Sequence, residues 1–87
     1  ILLSSTLPAG ASDHELAREA LQRGEIRPVA EVLSVVGAEV PGDVIEVELE
    51  REHGRLVYEV KVIAPDGRIS EVLVDAATAE IIEWEHD

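Results

Sequence analysis

The chain has 87 residues, with 7 Lys and Arg against 19 Asp and Glu, and a net charge of −12 when His is neutral. This length predicts one small domain. The charge argues against a nucleic-acid partner or an anionic membrane face, because both need clustered Lys and Arg. The chain contains no Cys, so a disulfide framework, a thiol nucleophile and a zinc finger are all excluded.

The first residues resemble the end of a secretory signal. Ile1, Leu2 and Leu3 are apolar, and Ala9-Gly10-Ala11 fits the small-residue rule for cleavage, here before Ser12. We therefore expect residues 1–11 to be a signal-peptide remnant, with a flexible N-terminus as the alternative, and residues 12–87 to form a single domain. This places the mature domain in a periplasm or outside the cell.

Two helices are predicted before Pro41. The first begins at Ser12 or Asp13 and stops near Gly24, and the second begins near Pro28, since Pro suits a first helical turn. Each has an apolar stripe at helical spacing. The stripes comprise Leu16, Ala17, Ala20 and Leu21 in the first helix, and Val29, Val32, Leu33 and Val36 in the second.

From Val44 onward the apolar residues recur with a period of two, which is typical of strands. Four strands are expected, with turns at Pro41-Gly42, His53-Gly54 and Pro65-Asp66-Gly67, and the last strand covers Ile81 to Trp84. The predicted inward positions are Ile45, Val47, Leu49, Leu56, Tyr58, Val60 and Val62 in the first two strands. In the third strand, Val72 and Val74 are favoured over the alternative set Ile69, Glu71 and Leu73.

These elements predict an α+β domain in which two N-terminal helices pack on one face of a four-stranded antiparallel meander sheet. Charge is uneven along the chain. Residues 12–42 carry 3 basic and 6 acidic groups, whereas residues 43–87 carry 4 basic and 13 acidic groups. The outer sheet face is therefore expected to be strongly acidic.

The strand-and-turn pattern resembles the PepSY domain over roughly residues 13–85. The matching segments are Pro41 to Glu50, Leu56-Val57-Tyr58-Glu59-Val60-Lys61-Val62, Asp66-Gly67-Arg68, and Val72-Leu73-Val74-Asp75-Ala76-Ala77-Thr78-Ala79-Glu80-Ile81-Ile82. The family usually has Gly where this chain has Ala79. A left-handed conformation at that position would cost Ala about 1 kcal/mol.

The resemblance implies a non-enzymatic module that regulates or inhibits a peptidase, or assists an envelope signalling protein. It supplies no catalytic residue and no cofactor. The expected partner is therefore a protein, and a homodimer through an edge strand is a further option.

The candidate partner-binding residues are Glu46, Glu48 and Glu50 on one strand, Glu59 on its neighbour, and Trp84. Exposed carboxylates in a row can meet a basic partner or bind a cation such as Ca²⁺, so a cation-binding or cation-sensing envelope protein is the alternative function. A plain solvated face is the simplest interpretation. Trp84 is equally compatible with packing and with a role as a recognition anchor.

Asp75 and Thr78 are interpreted as a structural turn, because an Asp that opens a loop accepts bonds from N–H groups two or three residues on. A calcium or ligand site with Glu80 is the alternative. His14, His53 and His86 lack metal-helix spacing and are expected at the surface. No nucleophile–base pair or phosphate-binding loop is visible in the sequence.

Overall fold

The computed structural model describes residues 13–86, with the side chains of Asp13, His14 and Leu16 outside that description. The expectations for residues 1–11, for a helix cap at Ser12 and for the Leu16 and His14 side chains therefore lie outside the described part. The elements in chain order are α1 Asp13–Gln22, α2 Val29–Glu39, β1 Asp43–Glu52, β2 Arg55–Ile63, β3 Ile69–Asp75 and β4 Ile81–His86.

The four strands form one antiparallel sheet in the order β1-β2-β3-β4. Each strand pairs with the next in sequence, because the connections between them are short. The predicted α+β class and the meander are both confirmed. The fourth strand continues to His86, two residues beyond its predicted end.

One core joins the two helices to one face of the sheet. Val60 and Val72 are fully buried at its centre, on adjacent strands. The buried members of the core are Ala20, Ile26, Val32, Val36, Val40, Leu49, Tyr58, Val60, Val62, Val72, Val74, Ala76 and Ala79. The period-two pattern therefore identified the inward positions of β2 and β3 correctly.

Three predicted inward positions are wrong. Ile45 is 51% exposed, because a β-bulge between Val44 and Glu46 shifts the register of β1 at that residue. Leu21 is 44% exposed, since it lies about 100° around the helix from the fully buried Ala20. Val29, at the first residue of α2, is also exposed.

The segment between the helices is fixed to β2 and to the turn after β3 by hydrogen bonds. The Tyr58 hydroxyl donates to the carbonyl oxygen of Arg27 at 3.0 Å, and the Arg27 N–H donates to the Ala76 carbonyl at 2.7 Å. Burial raises the pKa of Tyr58. These bonds hold both helices over one sheet face, and within residues 13–86 neither helix covers the opposite face.

The turns follow the sequence signals. His53 and Gly54 have φ of 50° and 83°, the positive values that a two-residue type I′ hairpin requires. Gly42 has φ of 131°, and a Cβ there would collide with the carbonyl oxygen of Ile63. Only glycine fits at this position, where the chain enters β1.

Candidate functional site

The sheet face that points away from the helices is lined with carboxylates. The position of these carboxylates follows from the strand register, since residues that alternate with the buried core positions point away from the helices. We call these outward residues the acidic face: Glu46, Glu48, Glu50, Glu52, Arg55, Val57, Glu59, Lys61, Glu71, Leu73, Asp75, Glu83 and Glu85.

Three of the predicted glutamates converge. Glu48 lies directly opposite Glu59 across the β1–β2 pair, and Glu50 is the next outward residue on β1. One carboxylate oxygen from each lies within 4.8 Å of the others. Like charges in directly opposed positions destabilise a sheet, so this arrangement stores electrostatic repulsion at the surface.

Burial and repulsion together change the protonation of the cluster. Burial, followed by the neighbouring carboxylates of Glu50, Glu71 and Glu48, raises the pKa of Glu59 to about 7, against an opposing effect of Lys61. Burial also raises the pKa of Glu50, with contributions from Glu48 and Glu52, and a hydrogen bond with Glu59 offsets part of that rise. The cluster therefore takes up a proton more readily than an ordinary glutamate does.

Glu46 stands apart from these three carboxylates. It pairs with Lys61 in the β1–β2 register, and its carboxylate lies 3.6 Å from the Lys61 ammonium. The carboxylate of Glu46 accordingly raises the pKa of Lys61. Glu46 thus belongs to an exposed ion pair at one end of the acidic face.

A cleft of about 250 Å³ continues the acidic face towards β4. Leu73 lies among glutamates from all four strands, and the lining residues are Glu52, Glu59, Glu71, Leu73, Glu83 and Glu85. Sequence reasoning did not single out Glu71, Glu83 and Glu85, although their period-two spacing in β3 and β4 carries the same signal as β1. Val57 is another apolar residue of this face, and it is 2% exposed.

Trp84 lies on the other side of the sheet. It pairs with the buried Val72 and so projects on the side of the helices, where it remains 39% exposed at the sheet edge. Its ring is tilted against that of His86, with centroids 5.2 Å apart. His86 Nδ1 and Ser70 Oγ share a hydrogen bond of 3.2 Å. The structure therefore separates Trp84 from the predicted glutamates.

Asp75 and Thr78 form the turn between β3 and β4. Asp75 Oδ1 accepts from the N–H groups of Ala77 at 2.8 Å and Thr78 at 3.3 Å. Its other oxygen lies 3.2 Å from the Arg55 guanidinium. The Thr78 hydroxyl accepts from the Glu80 N–H at 3.2 Å. These carboxylate contacts are made within the chain.

The turn places Ala79 in the left-handed region, with φ of 66°. Its N–H donates to the Asp75 carbonyl at 2.7 Å, and the residue is buried. This is the position at which the resemblance to PepSY domains implies Gly. The strain is tolerated here because the turn is hydrogen-bonded and the Ala79 methyl packs in the core.

Three further observations concern metal binding, the histidines and membrane spanning. Among residues 13–86, the acidic group that could hold a metal ion is Glu48, Glu50 and Glu59. His53 at the β1–β2 hairpin and His86 on β4 are both exposed, as expected from the sequence. Within the same described range, no helix has the length and apolar character needed to cross a bilayer.

The family model for PepSY, described as the peptidase propeptide and YPEB domain, matches residues 28–85, which is more than half of the chain. The chain belongs to the PepSY family. No curated protein and no solved structure matches it. The PepSY match begins at Pro28, directly before α2, so it covers α2 and the sheet as far as Glu85 but leaves out α1. The acidic face therefore lies within the matched region.

Proposed function

We propose that this PepSY domain is a secreted or periplasmic interaction module without catalytic activity of its own, which regulates or inhibits a peptidase. The observation that carries the proposal is the acidic face. Its carboxylates extend over four strands and far outnumber its two basic residues, Arg55 and Lys61. Such a surface is complementary to a basic surface of a partner protein.

The composition of this face supports a protein partner. Leu73 is a half-buried apolar residue surrounded by glutamates, and protein interfaces combine an apolar centre with a polar rim. Glu46, Glu48, Glu50 and Glu59 are proposed as the partner-binding carboxylates. Association guided by charge is faster at low salt, because opposite potentials steer the two proteins together.

An enzymatic role is poorly supported by this geometry. Catalysis needs a nucleophile, a base and an orienting group that converge on a reacting atom, whereas the cleft beside Glu59 is lined by four further glutamates and Leu73. Asp75 and Thr78 make hydrogen bonds within their own turn, which is a structural role.

The experiment is retention of envelope proteins on the immobilised domain at low ionic strength, followed by elution with salt. We expect a retained peptidase whose activity on a protein substrate falls when the free domain is added. A retained sensor protein without peptidase activity would instead support the accessory role in envelope signalling. Retention of no protein, or a peptidase whose activity does not change, would contradict the proposal.

Cation binding is the second candidate, because three carboxylate oxygens lie within 4.8 Å of one another. Ca²⁺ is bound by carboxylate oxygens, and ion binding would displace the proton that the raised pKa of Glu59 retains. Calorimetric titration with Ca²⁺, Mg²⁺ and Zn²⁺ tests it. A heat of metal binding that disappears in Glu50→Gln but persists in Glu39→Gln supports a cation site at this cluster. The absence of any heat of binding at sub-millimolar metal excludes this function.

A further inference from the structure

Among residues 13–86, the outer edge of β4 is unpaired. β4 is the last strand in the order β1-β2-β3-β4, and within this range it pairs only with β3. On an edge strand, alternate residues point their N–H and C=O groups away from the neighbouring strand. Such groups form a template to which another extended segment can add.

The two edges of the sheet differ. β1 has a bulge at Ile45, and its outward positions from Glu46 to Glu52 all carry a carboxylate. Bulges and charge are the usual means by which proteins protect a sheet edge. The register shift in β4 lies near the start of the strand, at Ile82. From Glu83 to His86 the pairing of β4 with β3 is regular. β4 also carries carboxylates, at Glu83 and Glu85, but the half-exposed Trp84 lies between them. The regular end of β4 therefore offers an apolar contact together with evenly paired backbone, which makes it the better template.

The side chains of β4 specify what this edge fits. Glu83 and Glu85 lie on the acidic face, whereas Trp84 projects on the helix side beside a groove of about 110 Å³. An added strand would place alternate side chains on these two sides. Trp is enriched among residues that dominate binding energy, so an apolar side chain beside Trp84 and basic side chains beside the two glutamates complement the edge.

We propose that the edge of β4 from Glu83 to His86 accepts an extended segment of a partner protein as a fifth strand. The segment carries Lys or Arg on the side of Glu83 and Glu85 and an apolar side chain against Trp84. This inference rests on the proposed function in that the domain binds a protein, but it assigns a surface other than the Glu48, Glu50 and Glu59 cluster.

A second copy of the chain fits this edge poorly. Antiparallel pairing of two β4 strands would bring Glu83 and Glu85 of one copy beside the same residues of the other. Directly opposed like charges are destabilising, and each chain carries a net charge of −12. The basic segment of another protein removes this repulsion.

The probe is a short synthetic peptide of alternating Lys and Val, added to the isotope-labelled domain and followed by NMR. Binding is expected to shift the amide resonances of β4 and to slow hydrogen exchange there. Two control peptides have the same sequence but carry N-methyl groups on one or the other alternate set of residues. N-methylation removes the backbone donors along one edge of the peptide, so one of the two should no longer bind. We expect Trp84→Ala to weaken binding about tenfold, whereas Ile45→Ala, an exposed apolar residue on the opposite edge, leaves it unchanged.

Three results would overturn the inference. The first is no binding at millimolar peptide, or binding that is insensitive to N-methylation in either register. The second is a set of shifts confined to β1 and the Glu48 cluster, with β4 unchanged. The third is a domain that dimerises through β4 in sedimentation without peptide. Because the Glu48 cluster is tested separately with its own variants, this inference and the proposed function can fail independently.

Discussion

Glu48 and Glu59 lie directly opposite each other on β1 and β2, and both carboxylates point to the face that the helices leave open. Together with Glu50 they place three carboxylate oxygens within 4.8 Å of one another. A sheet that needed only solubility would gain by alternating Lys with Glu at such positions, because opposed unlike charges are stabilising. The repulsion is relieved when a proton, a cation or a basic partner is bound.

The domain is therefore expected to lose stability as pH rises from about 5 to 8. The pKa of Glu59 is raised to about 7 in the folded chain, so the folded state keeps a proton that the unfolded chain releases near the ordinary pKa of Glu. This contribution is complete below the unfolded pKa and is lost as pH passes the folded one. Glu50 acts in the same direction, since its pKa is also raised.

Urea denaturation at a series of pH values measures this effect. Glu59→Gln should flatten the dependence and, after allowance for solvent screening, raise the unfolding free energy at pH 8 by about 1 kcal/mol. Glu39→Gln, an exposed change at the end of α2, should retain the slope of the original chain. An unfolding free energy that is constant or rises over this pH range would contradict the assignment.

The sheet was largely predictable from the sequence, because alternation and turn chemistry are local signals. Val47, Val60 and Val72 follow the period of two into the core, and His53-Gly54 specifies its own hairpin. The bulge at Ile45 was not predictable, since it depends on the partner strand. The register between β3 and β4 separates Trp84 from the predicted glutamates. It was not predictable either, since it depends on both strands.

The site was predicted only in part, for the same reason. The row of Glu46, Glu48 and Glu50 was visible as alternation, but which of them would meet Glu59 depends on the register of β1 and β2. Glu46 instead pairs with Lys61 at 3.6 Å. The cleft around Leu73 is formed by residues from four strands, and no single segment of sequence contains that information.

Asp75→Ala is expected to lower the unfolding free energy by about 2 kcal/mol. The substitution leaves the N–H groups of Ala77 and Thr78 without their acceptor and removes the partner of Arg55. Asp66→Ala is the matched control, since Asp66 Oδ1 accepts a single bond, from the Arg68 N–H at 3.0 Å. Thermal unfolding should show the larger loss at Asp75; equal losses would show that the turn bonds of Asp75 contribute little.

Gly42→Ala is expected to lower the unfolding free energy by about 3 kcal/mol. The backbone at Gly42 has φ of 131°, and a Cβ would also approach Val62 Cγ1 to 2.9 Å, besides its collision with the Ile63 carbonyl. Gly24→Ala provides the comparison, because Gly24 has φ of 73° but open space around it. That variant should lose only about 1 kcal/mol, and a Gly42 variant no less stable than this would contradict the close approach.

The central claim is that the acidic face binds a basic partner, and the most direct test compares two double variants of equal charge. Glu48→Gln/Glu50→Gln changes the cluster, and Glu19→Gln/Glu39→Gln removes two exposed carboxylates from the helices. The measurement is the dissociation constant for the peptidase that the immobilised domain retains. We predict that the sheet variant binds at least about tenfold more weakly and that the helix variant binds like the original chain; equal affinities for all three would contradict the claim.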